Sequence, residues 1–218
     1  MPSAGKRGKY LGFVAHEIKN PLATALWSCD LLKRMQGADR TGERAEKMLD
    51  ASLRALRRMR RLIDDFFTIE RLQEHGYELK REPLDLRELV GGALQTLAEK
   101  DGIATEGWVV DVGDAGVVGD AEMLKRALRC ALEQMSRSSS GSRLTISTRP
   151  ADDGLELQIR AEQPPAQPVP PDPEDRPSGD PSGSVLGYAL AARILDTLGG
   201  GIEEREGGLA LSFPAAKS

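Results

Sequence analysis

The chain has 218 residues, of which 34 are acidic and 30 basic, giving a net charge of -4 at neutral pH. This length fits one large domain or two small ones. The negative net charge argues against a general nucleic-acid-binding protein, because phosphate backbones demand a surplus of basic residues. Aromatic residues make up only 4% of the chain, so its cores must be built mainly from aliphatic side chains.

The sequence has no segment typical of a signal peptide, and its longest apolar runs are far too short to span a membrane. We therefore expect a cytoplasmic chain without a membrane segment. Its two cysteines, Cys29 and Cys130, lie in apolar helical surroundings without metal-ligand spacing. This pattern is typical of reduced core thiols. The chain itself implies no metal and no cofactor.

Two long helices are predicted in the first third of the chain. Apolar residues recur at steps of three and four from about 9 to 35 and again from about 41 to 72, with a break at Gly37. A short connection between two long helices predicts an antiparallel hairpin. Because two helices alone bury little surface, we expect a homodimer in which two hairpins form a four-helix bundle. The predicted apolar faces are Leu11, Val14, Ile18, Leu22, Ala25, Cys29 and Leu32 on the first helix, and Met48, Ala55, Met59, Leu62, Phe66 and Ile69 on the second.

The pattern changes after residue 76. Helices are predicted from Asp85 to about 100, from Asp120 to about 137 and over 185–198, and short strands lie between and after them. Residues 163–183 are rich in Pro, Asp, Ser and Gly, which predicts an extended loop. The fold class is therefore α+β. A helical hairpin occupies domain 1–76, and an α/β sandwich with a mixed sheet occupies domain 77–218.

The first predicted helix carries the pattern His-Glu-x-x-Asn-Pro-Leu, beginning at His16. His16 lies two residues from both Val14 and Ile18, so we expect it to point away from the apolar face. A neutral imidazole has a free ring nitrogen that can attack phosphorus. Glu17 is adjacent and could accept the ring proton or orient the ring. Asn20 lies one turn further along, on the same face as His16.

This segment resembles the H-box of histidine kinases at every position of the pattern. The resemblance implies that His16 accepts a phosphoryl group and exchanges it with receiver domains of response regulators. It also implies that Asn20 orients the water that hydrolyses a partner's acyl phosphate. Pro21 should bend the helix. A His-Glu-x-x-His zinc site is excluded, because position 20 is Asn. The alternative for His16 is an ordinary surface histidine.

The second half resembles the ATP-binding domain of the same family, but with its motifs degraded. The asparagines that hold magnesium and phosphate in that family correspond to Cys130 and Gln134, and a thiol is a poor ligand for a hard cation. Only Glu133 remains nearby as a carboxylate. Proline and long amides replace the adenine-binding glycine motif, and the final glycine motif is partly kept. The degraded motifs predict that ATP binding is lost. Their positions are Cys130, Gln134, Gln163, Pro165, Gly183, Val185 and Gly187.

Three functions follow from this combination. The first is a histidine phosphotransferase that relays a phosphoryl group between His16 and receiver aspartates, with magnesium supplied by the receiver. The second is a sensor kinase core with a divergent ATP site. The third is a non-catalytic pseudokinase that docks to a receiver or a kinase and regulates it. The arginines crowded on the second helix are either a solvated face or a surface that steers a receiver.

Overall fold

The structure is a computed structural model that describes residues 4–73, 78–151, 154–163, 184–205 and 207–214. For residues 4–13, 16, 38, 184 and 185 it describes the backbone alone. The described residues through Phe67 form one compact unit, and those from Thr68 onward form a second. The predicted domain division after residue 76 falls outside the described residues.

The first unit is the predicted helical hairpin. Helix α1 spans Ala4–Arg34 and helix α2 spans Glu43–Gln73, with a 3-10 turn over Gly37–Thr41 between them. The Ser52 hydroxyl lies 3.4 Å from the carbonyl oxygen of Ala25, to which it donates, and 3.5 Å from the Cys29 thiol. These contacts place residue 52 of α2 level with about residue 27 of α1, and they fix the register of the two antiparallel helices.

The buried face of α1 is displaced from the predicted one. Leu22 is 42% exposed and Cys29 is exposed, so the predictions that both lie in the core are wrong. The inner row of α1 carries small and polar side chains, which a search for apolar periodicity passes over. Its members are Val14, Glu17, Pro21, Ala25 and Ser28.

Helix α2 has two apolar rows. The inner row contains Ala55, Leu62, Phe66 and Ile69, as predicted, together with Ala45 and Ser52. The outer row follows the same alternation of four and three residues but is exposed. Two rows of this kind on one helix are the pattern of a helix that packs against two neighbours. The outer row consists of Leu49, Leu53, Leu56, Ile63 and Phe67.

The second unit is the predicted α/β domain. Its three helices are α3 (Leu86–Thr96), α4 (Ala121–Ser138) and α5 (Ser184–Leu198), and a π-helical turn over Leu97–Asp101 extends α3. The strands are β1 (Glu82–Asp85), β2 (Val109–Asp111), β3 (Gly116–Gly119), β4 (Leu144–Ala151), β5 (Gly154–Ala161), β6 (Gly201–Arg205) and β7 (Gly208–Pro214). Five of them form one sheet in the order β2, β4, β5, β7 and β6. This sheet is mixed, because β2 and β4 are parallel and the other neighbouring pairs are antiparallel.

Asp85 and Asp120, at which the sequence predicts two helices to begin, are the N-terminal caps of α3 and α4. The Asp85 carboxylate accepts hydrogen bonds from the backbone N–H groups of residues 87 and 88, and Asp120 accepts from the N–H of Met123 at 3.1 Å. Such caps satisfy backbone donors that the first helical turn leaves open. The sequence did not predict β1, which pairs with β3 in a separate two-stranded sheet. The sequence also predicts a short strand over 105–112, between the first two helices of this domain; in the structure it spans only Val109–Asp111.

The core of this domain lies between the helices and one face of the large sheet. The side chains of Leu157 and Ile159 on β5 and Leu211 on β7 are fully buried, and so are Leu128 and Leu132 on α4. Helices α4 and α5 pack closely, since a Cβ built on Gly187 of α5 would lie 3.4 Å from the Cys130 Sγ of α4. The packing places residues 130 and 187, two of the positions that the sequence analysis assigns to degraded motifs, side by side.

Candidate functional site

The His-Glu-x-x-Asn-Pro-Leu segment lies in the middle of α1. The backbone at His16 is helical, and its side chain lies outside the described residues. Asn20 is exposed, and its backbone carbonyl accepts a hydrogen bond from the Thr24 hydroxyl at 3.1 Å. Helix α1 continues through Pro21 to Arg34, and the Pro21 side chain is buried. The motif thus spans an exposed and a buried face of one helix.

Glu17 lies on the buried face of α1. Only 3% of its surface is exposed, and it is engaged in a polar interaction. The register of the hairpin places it level with about Leu62 of α2. A buried carboxylate must be paired or hydrogen-bonded, because desolvation of an isolated charge is costly. The role of Glu17 toward the His16 imidazole stays a prediction. Glu17 is also a member of the hairpin core that apolar periodicity did not indicate.

The two positions that correspond to metal-binding asparagines are both buried in α4. Cys130 is a free thiol, 3% exposed, that packs against Gly187, and the Nη2 of Arg129 lies 3.3 Å from its sulfur. Gln134 is 1% exposed, and its Oε1 has no hydrogen-bond partner among the described residues. The prediction that Cys130 lies in a core is confirmed.

The nearby carboxylate, Glu133, is bound by two arginines. Its Oε2 lies 3.0 Å from Arg129 Nη1, and its Oε1 lies 2.8 Å from Arg137 Nη2 and 3.1 Å from Arg137 Nε. Arg129 is itself buried and also lies 3.5 Å from the buried carboxylate of Asp101. Sequence reasoning missed Arg129, Arg137 and Asp101. The spacing of four residues on either side of Glu133 is the signal that could have found the two arginines.

The remaining degraded positions lie around the segment 164–183. Gln163 is exposed, and its N–H donates to the Ser142 hydroxyl at 2.9 Å. Pro165 and Gly183 lie outside the described residues. Val185 is helical in the first turn of α5, and Gly187 is half-buried against α4.

No helix in the described part of the chain is long and apolar enough to cross a membrane. Among the same residues, no group of three or more His, Cys, Asp or Glu side chains is arranged to hold a metal ion.

Comparison with known families identifies the hairpin. Residues 6–75 match the family model of the His Kinase A (phospho-acceptor) domain. The chain is also similar to histidine protein kinase DivJ of Caulobacter vibrioides, with 26% identity over 163 residues. That match covers 72% of this chain but 26% of the relative, so the chain spans about a quarter of that protein's length.

Solved structures share the fold across both units. Histidine kinase AdeS of Acinetobacter baumannii is similar at a TM-score of 0.68 and 19% identity, over 93% of this chain and 98% of that one. Histidine kinase ThkA, solved in complex with the response regulator protein TrrA, is similar at a TM-score of 0.63 and 18% identity, over 96% of this chain and 62% of that one.

The phospho-acceptor match covers the hairpin that carries His16, and the structural likeness extends through the α/β domain. The hairpin over residues 6–75 matches the His Kinase A (phospho-acceptor) domain, and the hairpin with the α/β domain that follows it has the fold of solved histidine kinases.

Proposed function

We propose that this chain is a histidine phosphotransferase, which exchanges a phosphoryl group between His16 and the aspartate of a response regulator receiver domain. The observation that carries this proposal is the state of Glu133, Cys130 and Gln134 in α4. A magnesium–triphosphate group needs oxygen ligands with free lone pairs near neutral pH. Here a thiol stands at one ligand position, and two guanidinium groups bind the remaining carboxylate. These residues do not fit magnesium-bound ATP.

The proposed chemistry needs no nucleotide site in this chain. A ring nitrogen of neutral His16 attacks the phosphorus of a phosphorylated receiver aspartate with its lone pair. The new N–P bond forms as the P–O bond to the aspartate breaks, and the aspartate leaves as a carboxylate. The reverse reaction returns the phosphoryl group to an aspartate. Positioning and charge stabilisation account for nearly all of the catalysis in such transfers, and the receiver supplies its own magnesium.

The second candidate is an ATP-dependent kinase core. The relatives that the chain resembles are named as kinases, which favours this candidate. Under it, the side chains of Glu133, Arg129 and Arg137 would have to rearrange when nucleotide binds. The α4 geometry supports the first candidate instead.

The direct test is phosphoryl transfer from a charged receiver. Receiver domains encoded in the same genome are phosphorylated with acetyl phosphate, mixed with the full chain, and the chain is assayed for acid-labile label. We expect label on the wild-type chain and none above background on H16Q, because the nucleophile is gone. The chain has two histidines, so H75Q is the matched control and should retain the label.

Three outcomes would contradict the proposal. Equal labelling of H16Q and wild type would place the phosphoryl group elsewhere. Absence of label with every receiver, combined with labelling from ATP, would establish the kinase candidate. An H16A chain that keeps its full effect on signalling in cells would support the non-catalytic alternative instead.

The N20A chain should still accept the phosphoryl group on His16. We expect it to slow the hydrolysis of the receiver's aspartyl phosphate.

A further inference from the structure

A continuous network of ion pairs joins the π-helical turn after α3 to helix α4. The innermost pair is Asp101 of the turn and Arg129 of α4, with 3.5 Å between the Asp101 Oδ2 and the Arg129 Nη1. The network continues to the surface, because Glu133 pairs with Arg129 at 3.0 Å and with Arg137 at 2.8 Å. We call these four residues the charge network.

The inner pair is deeply buried. Only 1% of the Asp101 side chain and 9% of the Arg129 side chain are exposed. In α4, Arg129 lies between the buried residues Leu128 and Cys130. Charged side chains are almost never buried to this extent unless they are paired, because removing a charge from water is costly. The two charges therefore depend on each other.

The backbone of the π-helical turn brings Asp101 to this interior position. The turn spans Leu97–Asp101, and Gly102 ends it in the left-handed conformation, with a φ of 66° that favours glycine. The N–H of Ile103 donates to the carbonyl oxygen of Leu97 at 3.1 Å, and the Leu97 side chain is fully buried. Turns of this kind are rare and are concentrated at functional positions. A particular backbone geometry thus delivers one carboxylate to Arg129.

Arg129 connects two carboxylates that come from different elements. Its Nη1 lies within 3.5 Å of oxygens of both Asp101 and Glu133. A divalent ion such as calcium links separate segments in the same way, by placing one cation between carboxylate oxygens. Here the cation belongs to the protein itself.

We propose that Arg129 is an internal cation of the α/β domain, which holds the π-helical turn to α4 as a bound divalent ion would. The domain then keeps this arrangement without any ligand. This inference goes beyond the proposed function and does not depend on it, since it concerns the order of the α/β domain and not the source of the phosphoryl group.

The test removes the internal cation and offers a soluble one. Full chains that carry R129M, D101N or D101N/R129M are unfolded by heat with and without millimolar calcium chloride. Each also carries W27F, so that the remaining tryptophan, Trp108, reports on the α/β domain. R137M is the matched control, because it removes an arginine from Glu133 but leaves the buried pair intact.

We expect R129M to lower the unfolding midpoint of the α/β domain by about 10 °C, because it leaves a buried carboxylate unpaired. Calcium should raise the midpoint of R129M by about 5 °C, since binding to the folded state stabilises it. It should leave R137M and the chain that keeps both arginines unchanged, because Arg129 already occupies the position between the carboxylates.

The double variant separates charge from packing. D101N/R129M should unfold at a higher temperature than R129M, since it no longer buries an uncompensated charge. It should not respond to calcium, because one of the two carboxylates is gone. If R129M does not fold without calcium, D101N/R129M should still fold.

The inference is overturned if R129M is as stable as R137M, or if calcium fails to stabilise R129M. It is also overturned if calcium stabilises the chain that keeps Arg129 by as much, since the carboxylates would then be open to a soluble ion. A D101N/R129M chain no more stable than R129M would show that Arg129 acts through packing. None of these results changes the phosphoryl-transfer assay, which tests the proposed function separately.

Discussion

Glu156 shows how single residues of the α/β domain are held by charge. Its carboxylate is buried on β5 and lies 2.7 Å from Arg149 Nε, 3.0 Å from Arg205 Nη2 and 2.8 Å from Gln158 Nε2. Burial alone would raise the pKa of this carboxyl group, but the hydrogen bonds and the two arginines more than offset it. The pKa of Glu156 therefore lies below its ordinary value of 4.5.

Because the pKa of Glu156 is lowered, we expect its contribution to the free energy of unfolding to depend on pH. A carboxyl group whose pKa is lowered by folding stabilises the fold above its unfolded-state pKa, and it loses that contribution as the pH falls through its lowered value. We expect E156Q to reduce the free energy of unfolding by about 1.5–3 kcal/mol at pH 7, the range for hydrogen bonds to charged groups. The difference should shrink in acid below about pH 4.5.

Urea denaturation followed by circular dichroism at several pH values measures this difference. E203Q is the control, because Glu203 is exposed and its oxygen lies 3.5 Å from Arg205. A difference between E156Q and wild type that stays constant from neutral to acid pH would contradict the ionic explanation.

At the residue scale, motif positions were more predictable than their surroundings. The exposure of Asn20 and the burial of Cys130 agree with the sequence prediction, because helical spacing fixes each of them. The pairing of Glu133 with Arg129 was missed, since a sequence with many charges offers several partners to each carboxylate. Burial of Glu17 could not be predicted from apolar periodicity, which ignores polar residues on the inner row.

At the scale of elements, α2 is the helix that carries a long exposed apolar row. Its outer row of leucines, Ile63 and Phe67 is exposed in the single hairpin. Exposed apolar rows of this size are characteristic of interfaces. We propose that two hairpins pack through these rows into a four-helix bundle, as the sequence also predicts.

Replacing a residue in this row tests the dimer. We expect L53E to give a monomer where the wild type is a dimer, because each dimer would bury two charged carboxylates in an apolar seam. K47E, an exposed position on α2 off the outer row, should leave the dimer intact. Light scattering during size-exclusion chromatography measures the molar mass. A dimeric L53E chain, or a wild-type chain that is monomeric at high concentration, would contradict the prediction.

Helix boundaries could be predicted where local capping residues set them. The capping carboxylates of α3 and α4 and the glycine-bounded end of α5 mark helix boundaries in the sequence. The inner face of α1 was misplaced because its row carries small and polar side chains, whereas the exposed Leu22 and Cys29 follow the apolar period. Strand β1 was missed because its pairing with β3 joins segments far apart in sequence. Such pairings depend on the whole fold and not on local residue preference.

At the scale of the whole molecule, a hairpin that matches the phospho-acceptor family is followed by an α/β domain in which we propose that the nucleotide-binding residues have changed. The order of helices and strands was predictable from the sequence. The register that sets Ser52 of α2 level with about residue 27 of α1 required the structure, because spacing within each helix says nothing about the relative alignment of the two helices.

The central claim is that the phosphoryl group on His16 comes from a receiver and not from ATP bound to this chain. Calorimetric titration of the full chain with ATP and magnesium tests it most directly. We expect no heat of binding at micromolar concentrations, because Glu133 is held by two arginines and Cys130 is a poor magnesium ligand. Saturable binding in the micromolar range would contradict the account and favour an ATP-dependent kinase that phosphorylates its own His16.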